Sequence, residues 1–316
     1  MFKDCEDIIE MDFSHFDISQ VTDMFDMFNN CNKLKSLDLS NFVNSKVTGN
    51  NVVGMFSNCY RLEYLDISNF NTSKITGFGY MFYNCKALLS LNLSKFDATN
   101  IYSSDNMFYS CESLKYLDLS NFETKSLREI QNMFADCISL EYLDISNFDT
   151  SLITNMSGLF QNCQKLKSLN LFSFNTENVE DMGFLFAGCS SLISLNISSN
   201  FKTSNVKNML GMFGGCESLE FLDISYFETN NVEHMELMFF NCKSLKSLNF
   251  SNFDTSNVQN MASMFFGCNN LTELDLSSFN TNKTVYFDSL FYDCSSLTSL
   301  DLSNFDTSSI TEENSL

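Results

Sequence analysis

The segment Cys242–Phe265, CKSLKSLNFSNFDTSNVQNMASMF, is the best-preserved copy of a phrase that runs through the whole chain. Its cysteine is one of twelve: Cys5, Cys31, Cys59, Cys85, Cys111, Cys137, Cys163, Cys189, Cys216, Cys242, Cys268 and Cys294. Neighbours stand 26 residues apart, except for 28 between Cys31 and Cys59 and 27 between Cys189 and Cys216. A fixed period of this size means that one supersecondary unit is stacked on itself, so the chain reads as a solenoid.

Each part of the phrase has a structural job. The L-x-x-L-x-L run, as in Leu114, Leu117 and Leu119, ends in strict alternation, which predicts a short half-buried strand. One strand per copy implies a parallel sheet built by stacking. A phenylalanine follows in every copy, from Phe16 to Phe305, and a second phenylalanine column runs from Phe28 to Phe291. Between them Thr-Ser-x-Val-x-x-Met-x-x-Met-Phe, as in Thr255–Phe265, spaces apolar residues three, three and one apart. That spacing predicts a turn or two of 3₁₀ or α-helix, with the Thr or Ser before it as N-cap. No single copy buries this surface alone, so stability comes from stacked neighbours. The extra residues fall at Gly49–Val53 and Ser198–Asn200, outside the strands.

L-x-x-L-x-L with a fixed aromatic after it, F-x-x-C-x-x-L joining the copies, and T-S-x-V-x-x-M resemble the BspA-like leucine-rich repeat surface proteins. The closer resemblance is to the branch found in mycoplasma and other low-GC bacterial surface proteins. The likeness covers essentially the whole chain. It implies an α/β solenoid, a leucine-rich repeat array of about 12 coils of ~26 residues with a strand on one face and 3₁₀ or α turns on the other. It also implies a cell-surface or secreted location and a role in adhesion to host matrix or cell-surface proteins. Residues 1–316 then form a single solenoid domain. The chain opens in a degenerate copy, with Ile8 and Met11 in leucine slots, and stops after Ile310 without the next Met-Phe and Cys, so it reads as part of a longer surface protein.

Composition narrows the function. The net charge is -21 with only 18 Lys and Arg, which argues against nucleic acid and against anionic membranes as partners. No apolar run approaches the ~20 residues of a membrane span. His15 and His234 are the only histidines, no phosphate-binding glycine motif occurs, and no catalytic order or cofactor motif recurs, so the chain reads as a non-enzyme without a cofactor. The cysteines lack the C-x₂₋₄-C pairing of zinc sites. Each lies between an inward Phe and an inward Leu, which suits a buried reduced thiol, while stacking at strand spacing leaves disulfide rungs as the alternative.

Outward positions carry the candidate binding residues. The residue before the third leucine slot forms an Asp/Asn column that includes Asp66, Asp118, Asp144 and Asp223. A solvated polar ladder and a calcium site are its two readings, and no D-x-D-x-D-G loop supports the second. Two positions earlier, Tyr64, Tyr116, Tyr142 and Phe221 stand among serines. Tyrosines on a presumed concave sheet are the best candidates for a protein-binding hot spot. An adjoining column alternates charge, pairing Lys35 with Glu63 and Glu220 with Lys246. The leading expectation is therefore a protein-binding or adhesion module that uses the strand face, and a passive spacer is the alternative. The threonine column Thr124, Thr150, Thr176, Thr203, Thr229, Thr255, Thr281 and Thr307 also raises ice binding, although a second parallel threonine column is lacking.

Overall fold

A computed structural model describes residues 1–306 and 308. Thr307 and Ile310 lie outside the described residues. The chain falls into two compact units, one formed by Met1–Ile153 with Asn170–Phe174 and the other by Thr154–Leu169 with Asn175–Leu316. The same coil builds both.

The strands are parallel and short. β1 (Ser36–Asp38) pairs with β2 (Tyr64–Asp66), β3 (Tyr116–Asp118) with β4 (Tyr142–Asp144), and β5 (Ser168–Leu171) with β6 (Ser194–Ile197). In β1 and β3 the central leucine is buried and both neighbours are exposed, as alternation requires. Register follows the repeat, with Leu37 opposite Leu65 and Leu117 opposite Leu143. The other coils make single bridges here, such as Phe221 with Ser247, or none at all.

On the opposite side of the solenoid the expected 3₁₀ or α turns are replaced by tight non-helical turns: no 3₁₀ or α-helix occurs among the described residues. The cause is a pair of left-handed residues four apart in most coils, such as Asn106 (φ 54) with Ser110 (φ 54), or Asn132 (φ 53) with Asp136 (φ 58). A helix cannot continue through them. The backbone instead alternates its partners. Asp26, Phe28 and Asn30 donate their N–H groups to Val53, Met55 and Ser57 of the next coil, while Met27, Asn29 and Cys31 donate three residues back to Met24, Asp26 and Phe28. Successive turns thus stack into a second ladder that satisfies the main chain as fully as a sheet would.

Aromatic stacking fills the core beneath these turns. In the first unit Phe28, Phe56, Phe82, Phe108 and Phe134 stack with centroids 5.5–5.8 Å apart, and in the second Phe160, Phe186, Phe213, Phe239, Phe265 and Phe291 do so at 5.4–5.8 Å. Among the strand-side phenylalanines Phe16 departs from its column: it is exposed, and Phe13 occupies the buried place beside Phe42.

The cysteines are reduced thiols, buried from Cys31 to Cys268 and half-buried at Cys5 and Cys294. Their thiols do more than fill space. Cys59 donates its S–H to the carbonyl of Phe28 at 3.2 Å, Cys137 to Phe108 at 3.2 Å and Cys242 to Phe213 at 3.1 Å. Each of these carbonyls already accepts a backbone N–H from the cysteine of its own coil, as Phe28 does from Cys31. The thiol therefore takes the second lone pair and ties one coil to the next. Burial pushes the thiols of Cys85, Cys137, Cys189 and Cys242 up to about 12.

The threonine column is interior. Thr124, Thr150, Thr176, Thr203, Thr229, Thr255 and Thr281 are buried, so they cannot form an ice-binding surface. Nor do they cap helices. The Thr255 hydroxyl donates to the Asn280 carbonyl at 2.9 Å and accepts the Asn280 N–H at 2.8 Å, closing the gap to the next coil. Thr124 does the same with Asp149, and Thr229 with Asp254.

Candidate interaction face

The strands place the predicted residues in two groups. Tyr64, Tyr116, Tyr142, Asp66, Asp118 and Asp144 belong to the first unit, and Phe221 and Asp223 to the second. In the first, the register sets Tyr116 against Tyr142, and their rings stack at 4.5 Å with an interplanar angle of 4°. They remain 54% and 44% exposed, and Tyr64 is 55% exposed. The Tyr142 hydroxyl donates to Asp144 at 3.3 Å, which steadies the outer ring of the stack.

The carboxylates of the same strands have a local task. Asp66, Asp118, Asp144 and Asp223 each accept the backbone N–H of the serine two residues on, at 2.9–3.0 Å. Asx turns of this kind end the strands and begin the bend toward the phenylalanine. The Ser120 hydroxyl and N–H lower the Asp118 carboxyl below its ordinary value, and Ser225 does the same to Asp223, so both stay charged at neutral pH. The column is thus a row of anionic turn-formers beside the aromatic row. Among the described residues no group of three or more His, Cys, Asp and Glu is placed to hold a metal ion.

Phe221 is 65% exposed and already has a cation over it: the Lys246 ammonium lies 5.1 Å from the ring centroid and 2.5 Å from Glu220. The charge-alternating column thus forms an ion pair at Glu220 and Lys246.

Two clefts open where a strand is missing. The segment Ser90–Asn92 is not a strand, and its Leu91 is only half-buried. On one side lies a cavity of about 180 Å³ lined by Tyr64, Asp66, Ser68, Ser90 and Asn92. On the other lies one of about 300 Å³ lined by Asn92, Ser94, Tyr116, Asp118 and Asn121. Leu89, which precedes Ser90 in the chain, is 57% exposed, in a column where neighbouring copies carry Lys or Glu.

The turn side bears aromatic stacks that the sequence reading did not single out. Tyr83 and Tyr109 stack at 5.0 Å in the first unit, and Phe240, Phe266 and Tyr292 at 5.0 and 4.8 Å in the second. All occupy the position after the second phenylalanine column. Rings in consecutive copies were the signal that could have found them.

Comparison with known proteins follows the repeat. A family model described as "Mycoplasma protein of unknown function, DUF285" matches residues 1–116, 87–196, 167–249 and 211–316, and so reaches across the chain. No curated protein matches. Among solved structures, a leucine-rich repeat protein from Bacteroides ovatus is 24% identical, covers 88% of this chain and 69% of its own, and superposes with a TM-score of 0.54. A leucine rich cell surface protein from Faecalibacterium prausnitzii is 17% identical over 80% of this chain and 77% of its own, with a TM-score of 0.38. The fold is a leucine-rich repeat array.

Proposed function

The chain belongs to the family described as Mycoplasma protein of unknown function, DUF285, and from that premise we propose that it is a non-catalytic protein-binding module that captures its partner on the strand face. One observation carries the reading. Tyr116 and Tyr142 form a stacked pair, half exposed, on strands that end in the aspartates Asp118 and Asp144. Stacked rings held by strands lose little entropy on binding and offer large contact area, the qualities of a hot spot. The partner class is a host matrix or cell-surface protein, and the setting is the bacterial cell surface. Both follow the resemblance of the repeat to the BspA-like surface proteins.

The test is capture of purified matrix proteins and of whole cells by immobilised protein. Tyr116→Ser with Tyr142→Ser should abolish capture while leaving thermal unfolding in place, because neither side chain lies in the core. Undiminished capture would refute the site.

A further inference from the structure

At one place in the aromatic column a single small residue stands between two rings. Read along the stack it runs Tyr64, Ser90, Tyr116, Tyr142. Tyr116 and Tyr142 are in contact at 4.5 Å, but Tyr64 and Tyr116 are two coils apart, about 9–10 Å at the ~4.8 Å spacing of strands. Ser90 is too short to fill that interval; it lines a cavity of about 180 Å³ on the Tyr64 side, and one of about 300 Å³ lies on the Tyr116 side. Asp66 lines one cavity, Asp118 lines the other, and the neutral Asn92 lines both.

We propose that this slot between Tyr64 and Tyr116 binds an arginine side chain of the partner protein, an inference that rests on the strand face being the binding face. A planar group midway would lie ~5 Å from each ring, inside the ~6 Å reach of a cation–π contact. A guanidinium is flat enough to enter and charged enough to pair with Asp66 and Asp118, whereas an ammonium is compact and strongly hydrated and leaves part of the slot empty. The net charge of -21 draws cationic segments toward the face. The molecule twice sets a cation over an aromatic ring within itself: Lys246 lies over Phe221 beside Glu220, and the Arg128 guanidinium lies 5.8 Å from the Tyr102 centroid.

The experiment uses the full chain and three short peptides that differ at one position, which holds arginine, lysine or citrulline, the last being flat like arginine but uncharged. Binding is followed by tyrosine ring shifts in NMR at low ionic strength. Two variants accompany the parent protein. Ser90→Tyr fills the slot with a further ring in the existing stack, and Tyr64→Ala opens one wall. The arginine peptide should bind about tenfold more tightly than the citrulline peptide, and Ser90→Tyr and Tyr64→Ala should each weaken it by about tenfold. Equal binding of the citrulline peptide would overturn the assignment, as would a Ser90→Tyr protein that folds like the parent and binds the arginine peptide unchanged. Preferential binding of a neutral sugar or an aromatic peptide at the slot would overturn it too. Matrix capture that needs Tyr116 and Tyr142 but ignores Ser90→Tyr would remove the arginine slot and leave the strand-face reading standing.

Discussion

Thr255→Val changes almost no volume, yet it should destabilise the second unit more than the smaller Thr255→Ser. The Thr255 hydroxyl is fully buried and serves both polar groups of one residue, donating to the Asn280 carbonyl at 2.9 Å and accepting the Asn280 N–H at 2.8 Å. Valine keeps the shape and orphans both. Each buried unpaired group costs about 1–3 kcal/mol, so the two together cost about 2–6 kcal/mol; replacing a hydroxyl by a methyl recovers ~1 kcal/mol, which leaves a net loss of about 1–5 kcal/mol, centred near 3. Serine keeps both bonds and removes one methyl, a loss of ~1 kcal/mol. A repeat array need not unfold in one step, so the assay should be local: amide exchange at Asn280 by NMR, supported by urea unfolding. At the ~3 kcal/mol centre of that range exchange should accelerate about 100-fold in Thr255→Val if it proceeds by local opening, and at its low end about fivefold. If Thr255→Val is as stable as the parent, or more stable than Thr255→Ser, the hydroxyl is not the link between coils and the reasoning fails.

Three further outcomes follow from the same geometry. Asn132, with φ 53, should tolerate glycine within a few tenths of a kcal/mol, but Asn132→Val should cost about 1–2 kcal/mol in urea unfolding, because a β-branched residue resists the left-handed region. Alkylation of the native protein at pH 8 should reach Cys5 and Cys294 first and spare Cys137, whereas in denaturant all twelve thiols should react. Stability should also respond to pH at both ends. The thiols of Cys85, Cys137, Cys189 and Cys242 are raised from 9.0 to about 12, so their contribution is complete below pH 9 and is lost as pH climbs toward 12, by up to ~1.4 kcal/mol per thiol for each pH unit. The carboxyls of Asp118, Asp223 and Asp254 are lowered from 3.8 by their serine donors, so their contribution is present above that value and is lost on acidification below it. Unfolding midpoints measured from pH 2 to 11 check both limbs.

The period, the strand register and the two phenylalanine columns were legible because each depends on residues a coil cannot do without: leucines at alternate positions and a ring at each end of the core. The turn side was misread because M-x-x-M-F spacing suits a helix as well as a chain of tight turns. The deciding signal lay one residue before the cysteine, where Asn58, Asn84, Ser110, Asp136, Gly188 and Gly215 all take positive φ. Asn, Asp, Gly and Ser at one fixed column mark left-handed backbone, and helix spacing says nothing about it. Thr255 was misplaced for a related reason. Its partner is a backbone group 25 residues away, and a β-branched polar residue gives no local sign of pointing inward. The tyrosines were found because they break a run of serines. The slot beside them was missed because it is made by a small residue, Ser90, and depends on what stands one coil before and after.

The most direct test of the account compares the two faces of one protein in one assay. Strand-face Tyr116→Ser with Tyr142→Ser is set against turn-face Tyr83→Ser with Tyr109→Ser, each removing one stacked tyrosine pair, at 4.5 and 5.0 Å respectively, from the first unit. Binding to a panel of purified matrix proteins is read by biolayer interferometry, with thermal unfolding recorded for every variant. Loss of binding in the strand-face variant with retention in the turn-face variant is the expected result. Retention in the strand-face variant with loss in the turn-face variant would contradict the account.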